Sequence, residues 1–116
     1  MKKPITFEQM SDWLIKDILP EQKLAESEMR KATIRVRDVR YVTSQLALGK
    51  PCPEVILTVD EANGERPRRG TYEFSIIKRP LIREMLPHLQ DAKGKTFSVG
   101  FTYTGRGLMI WECSPV

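Results

Sequence analysis

Between residues 32 and 113 the apolar side chains of this chain recur mostly at every second position, and one segment breaks that rhythm. Ile34 and Val36 alternate with polar neighbours, then Val39 and Tyr41 carry the pattern on with the opposite parity. One extra residue near Arg37-Asp38 brings all four onto the same face, so the strand expected over residues 33–42 is long and bent at a bulge. Residues 43–53 read as a loop punctuated by Gly49, Pro51 and Pro53. A second strand is expected over 54–60, with Val55, Leu57 and Val59 on one face. Asn63-Gly64 then signals a turn, which residues 65–70 lengthen into an arginine-rich tip. The third strand, 71–77, puts Tyr72, Phe74 and Ile76 on one side, against Glu73 and Ser75.

The period then changes from two to three-and-four. Leu81, Ile82, Met85, Leu86 and Leu89 form the stripe of a helix over 79–90, with Pro80 in its first turn, Pro87 near its end and Gly94 beyond it. Alternation returns over 96–103, where Phe97, Val99, Phe101 and Tyr103 share a face. A tight turn at Thr104-Gly105-Arg106-Gly107 leads to a last strand over 108–113, with Ile110 and Trp111 on opposite faces. Ahead of all this, Phe7, Met10, Trp13, Leu14 and Ile18 make one stripe of a helix over 6–19, started by Thr6 and Gln9 at capping-box spacing and stopped by Pro20. Residues 21–31 read as a second, weaker helix. The expected organisation is a helical extension, 1–31, followed by a five-stranded barrel domain, 32–116.

Charge sharpens this picture. The net charge is +4, and residues 1–31 contribute none of it, six basic groups standing against six acids. Residues 66–83 hold Arg66, Arg68, Arg69, Lys78, Arg79 and Arg83 against Glu73 alone. The excess positive charge therefore belongs to the second hairpin and the start of the helix after it, which reads as one basic edge.

Enzyme chemistry finds little to stand on. The one histidine, His88, has Asp91 three residues on, a spacing that a surface helix explains. There is no phosphate-binding GxxxxGK[ST] loop, no HExxH and no GxSxG, and the carboxylates are scattered singly. Cys52 and Cys113 form no metal-ligand pair and are expected as two reduced thiols. No enzyme activity, metal or cofactor is expected. No apolar run approaches the ~20 residues of a membrane-crossing helix, and no apolar signal segment follows Met1-Lys2-Lys3-Pro4. The expected location is cytoplasmic, with no membrane partner.

The order strand–strand–strand–helix–strand–strand, the bulge in the first strand and Gly105-Arg106-Gly107 in the last hairpin give residues 32–113 a resemblance to OB-fold proteins that bind single-stranded nucleic acid. The resemblance implies a mainly β, Greek-key barrel. It also implies a ligand crossing the second and third strands, flanked by the loops that here carry Lys50 and Arg106. Single-strand binding needs cations along the backbone path and aromatic faces for the bases. Arg35, Arg37, Arg66, Arg68 and Arg69, with Lys50 and Arg106, are the expected phosphate contacts; Tyr41, Tyr103 and Trp111 are the expected stacking residues. The expected function is non-enzymatic binding of single-stranded DNA, or secondarily RNA. The alternative is a protein-interaction module, an accessory subunit or small inhibitor whose basic hairpin docks on an acidic partner, with self-association through the N-terminal helices.

Overall fold

The computed structural model describes residues 3–16, 29–45, 51–104 and 107–116, with the backbone alone at 13–16, 44–45 and 104. Its elements run β1 (Lys3–Ile5), α1 (Phe7–Lys16), β2 (Arg30–Gln45), β3 (Pro51–Ala62), β4 (Tyr72–Ile76), α2 (Arg79–Leu89), β5 (Thr96–Thr104) and β6 (Gly107–Pro115). Strands β2 to β6 are joined in the order β2-β3-β4-β6-β5, and β5 pairs back onto β2. The result is a closed five-stranded barrel, compatible with an OB-like fold, with β1 as an extra strand outside it. All pairings are antiparallel except β4 with β6, where Phe74 lies beside Leu108. Parallel neighbours cannot be joined by a hairpin; here α2 and β5 form the connection.

Closure depends on β2. Its first part pairs with β5 from Arg30 opposite Phe101 to Arg35 opposite Thr96, while Ile34 through Gln45 pair with β3. The ladder to β3 slips twice. Asp60 is the extra residue on β3, and Arg37 is the extra residue on β2. The bulge expected near Arg37-Asp38 is present, and it lets Ile34, Val36, Val39 and Tyr41 all face the core. At the bend the Val36 backbone turns to the other neighbour: its N–H donates to the Lys95 carbonyl at 3.0 Å, and its carbonyl accepts from Gly94 N–H at 2.8 Å.

Two expectations for the N-terminal residues are corrected. Lys3–Ile5 form a strand against Tyr41–Thr43, with Pro4 opposite Val42; a proline fits there because an edge strand has one side without a ladder partner. Arg30 and Lys31 belong to β2, where pairing with Phe101 and Gly100 overrides a weak helical preference. The rest of the expected second helix, and the helix end at 17–19, lie outside the described residues. The capping box of α1 is as expected: Thr6 N–H donates to Gln9 Oε1 at 2.9 Å, and Gln9 N–H donates to Thr6 Oγ1 at 3.1 Å.

The core is one cluster. Inward residues of every barrel strand meet Leu81, Ile82, Met85, Leu86 and Leu89 of α2, each worth ~1.5–3 kcal/mol when fully buried. Met10 of α1 sits in the same cluster at 0% exposure, with Ile5 and Phe7 packed against it. Through Ile5, Phe7 and Met10 this N-terminal segment packs on the barrel core. Met10→Ala is expected to lower the unfolding free energy by ~2–5 kcal/mol in urea titration, with the whole chain unfolding in one transition. A loss below ~0.5 kcal/mol would show that α1 packs elsewhere.

Candidate functional site

Asn63 and Gly64 occupy left-handed backbone, at φ 53° and 79°. Two positive φ values in a two-residue turn match a type I′ hairpin, for which Asn-Gly is the favoured pair. Ala62 and Glu65 close it with reciprocal backbone bonds of 2.8 and 3.0 Å. Asn63 also fastens the turn to β2: its N–H donates to the Thr33 carbonyl at 2.7 Å, and its Oδ1 accepts from Thr33 N–H at 2.9 Å. Past this anchor the chain carries Arg66, Arg68 and Arg69, all exposed, before it enters β4.

Since β4 and β6 run parallel and in register, the segments that lead into them leave the same end of the barrel. The arginine segment therefore lies at the end where β5 turns into β6. Tyr103 stands there, opposite Leu108, with 74% of its surface exposed. It ends the inward row of β5 at the barrel rim. Lys78, Arg79 and Arg83 follow β4 and belong to the opposite end, so the basic edge expected to run from the tip into the helix is interrupted by the length of that strand.

Arg35 is engaged on the protein's own surface. Its Nε and Nη2 donate to the two Asp60 carboxylate oxygens at 3.0 and 3.2 Å, and its Nη1 lies 3.3 Å from Glu61 Oε2. The hydrogen bond from Arg35 holds the Asp60 carboxyl below the usual aspartate range, with a smaller attraction from Arg66. Asp60 is the bulged residue of β3, which is why its side chain reaches Arg35. Arg40 pairs with Glu73 across β3. The neighbouring Glu54, only 2% exposed, accepts a hydrogen bond from Ser75 Oγ at 2.9 Å. Carboxylates thus occupy the outward face of β3 and β4, across which the resemblance would run a ligand. Arg37, the bulged residue of β2, is exposed. Lys50 and Arg106 lie outside the described residues.

Two of the expected stacking residues differ sharply in surroundings. Tyr41 is packed edge-on against Phe7, ring centroids 5.6 Å apart, and burial pushes its hydroxyl up to about 12. Its ring serves the contact with α1. Trp111 is the extra residue of a bulge in β6, because Gly100 pairs with Glu112 while Phe101 pairs with Ile110. The bulge lets Ile110 and Cys113 both point inward although three positions apart, and turns Trp111 and Glu112 outward together. Trp111 Nε1 donates to Thr102 Oγ1 at 2.8 Å. The odd spacing of two core residues was the signal for this bulge. The carboxylate partners of Arg35 and Arg40 left no such signal, since they depend on register.

Cys52 and Cys113 are both buried and unbridged, and burial followed by the nearby Glu84 charge pushes the Cys113 thiol up to about 12. Among the described residues no three His, Cys, Asp or Glu side chains gather where they could hold a metal ion, and no helix is long and apolar enough to cross a membrane. No protein-family model matches the chain, and no curated protein or solved structure matches it.

The raised Tyr41 value has a definite sign. Its contribution to stability is complete below the ordinary tyrosine range and is lost as pH rises through about 12. Alkaline titration followed by tyrosinate absorbance should show a late step that Tyr41→Phe removes. If the late step survives that substitution, Phe7 does not shield the ring.

Proposed function

We propose that the chain is a non-enzymatic protein that binds single-stranded nucleic acid on a Greek-key barrel of the OB type. The observation that carries this reading is that Arg66, Arg68 and Arg69 and the exposed Tyr103 belong to the same end of the barrel. Three exposed guanidinium groups and an exposed ring at the same end supply the two ingredients of single-strand binding, phosphate neutralisation and a stacking platform. The Asn63 anchor supports it further, because a tip fastened to β2 holds its arginines at a defined place on the rim. The contacts we assign are Arg66, Arg68 and Arg69 to phosphates, with Arg37 as an additional cation and Tyr103 and Trp111 as stacking residues. Arg35 and Tyr41 are left out, each being occupied by a neighbour.

Labelled single-stranded DNA and RNA oligomers should bind at low salt, with log affinity falling linearly against log salt. Replacing Arg66, Arg68 and Arg69 with Glu should reduce the magnitude of that slope by about 2, at ~0.7 for each lost phosphate contact on a single strand. Absence of binding at low salt, or binding that high salt leaves unchanged, would defeat the proposal. Capture of an acidic protein in place of the oligomers would favour a protein-docking role for the same arginines.

A further inference from the structure

Outside the barrel, between the start of α2 and the last two strands, lies a cavity of about 310 Å³. Ligand sites span ~300–1,000 Å³, so this one suits a single planar heterocycle better than a peptide. Trp111 and Leu81 give it apolar walls, Ser98 and Ser114 add hydroxyls, and its charged lining is Lys78 with the two carboxylates Glu84 and Glu112.

The indole is oriented before any ligand arrives. With Nε1 held by Thr102, the polar end of Trp111 is satisfied and its ring face is what remains to offer. Glu112 turns outward at the same bulge, but its carboxylate already accepts from Lys31 Nζ at 2.6 Å. Glu84, exposed on α2, is the carboxylate with which the cavity can meet a ligand. A carboxylate accepts two hydrogen bonds side by side, and an ammonium only donates. Among the bases, guanine alone offers two adjacent donors, N1–H and the N2 amino group, with the O6 acceptor next to them. Adenine and cytosine set an amino group beside an acceptor nitrogen, and thymine and uracil set one N–H between two carbonyls. Each of these brings an acceptor against the Glu84 oxygens.

We propose that this cavity is a guanine pocket, in which an unpaired guanine stacks on Trp111, donates to Glu84 and turns O6 toward Lys78. Placing that guanine in a nucleic-acid strand rests on the function proposed above; a free guanosine nucleotide shares the same chemistry. The geometry allows the strand: Trp111 lies four residues beyond Gly107, ~13 Å along β6 at ~3.3 Å per residue, so a strand crossing the arginine end reaches the cavity within a few nucleotides.

Anisotropy with labelled oligothymidylates carrying one central guanine, adenine or cytosine tests this. The guanine oligomer should bind about tenfold more tightly than the other two, the scale of one bidentate base contact. Glu84→Gln should bring the three affinities close together. Replacing Arg66, Arg68 and Arg69 with Glu should weaken all three and keep their ratio. Equal affinities for the three oligomers in the unaltered protein would overturn the pocket and leave strand binding standing. Guanosine monophosphate is the second probe, read by tryptophan quenching that Trp111→Phe abolishes. Quenching by the mononucleotide with no oligomer bound would uphold the pocket and reject the strand; no response to either probe would reject both.

Discussion

Everything in this barrel depends on one strand having two neighbours over its bent middle. β2 must pair with β3 along most of its length and with β5 over its first residues, or the sheet stays open with two bare edges. A strand cannot keep both ladders while straight. The extra residues at Arg37 and Asp60 supply the bend, and Val36 hands its backbone groups across to Gly94 and Lys95 at the corner. α2 and α1 then cover core residues that the closed sheet has gathered, with Met10 and Met85 in one cluster.

The same bulges sort the charges. Asp60 stands where a regular ladder would have no side chain, and from there it takes Arg35 into a two-pronged pair. Arg40 goes to Glu73, Lys31 to Glu112 and Lys93 to Asp38. Exposed pairs of this kind add little stability, typically ~0–1 kcal/mol each. Their larger effect is on the surface potential. Cations spread evenly along the strands are matched locally by acids, while the segment after Asn63 has no acid between Glu65 and Glu73. Arg66, Arg68 and Arg69 therefore follow one another with no acid among them at the end where Tyr103 stands, apart from the cations Lys78, Arg79 and Arg83 at the other end.

Much of the architecture was legible in the sequence because its signals are local. The capping box at Thr6 and Gln9, the Asn63-Gly64 turn, the parity break before Val39 and the α2 stripe each depend on residues within a few positions of one another. Strand ends were less legible: β2 begins at Arg30 and β3 at Pro51, where ladder partners far along the chain recruit residues with no strong preference of their own. β1 was missed for the same reason. The candidate site was only partly legible. Exposed arginines at a hairpin tip follow from composition, whereas the pairing of Arg35 with Asp60 and the packing of Tyr41 under Phe7 require the register of a ladder and the docking of a helix. Trp111 is an intermediate case, since Ile110 and Cys113, both apolar and three apart, already imply an extra residue between them.

The clasp between Asn63 and Thr33 bears on how the chain assembles. The β3–β4 hairpin closes over a short stretch and can form early, but the β2–β5 ladder joins residues some sixty to seventy positions apart. The entropy of closing so long a loop is met before that ladder returns anything, so circularising the sheet is the entropically costly part of assembling the barrel. Once the hairpin has formed, Asn63 holds Thr33 by both backbone groups. The side of β2 that must still receive β5 is then already fixed in position, and the final search is made by β5 and β6 alone against a finished template.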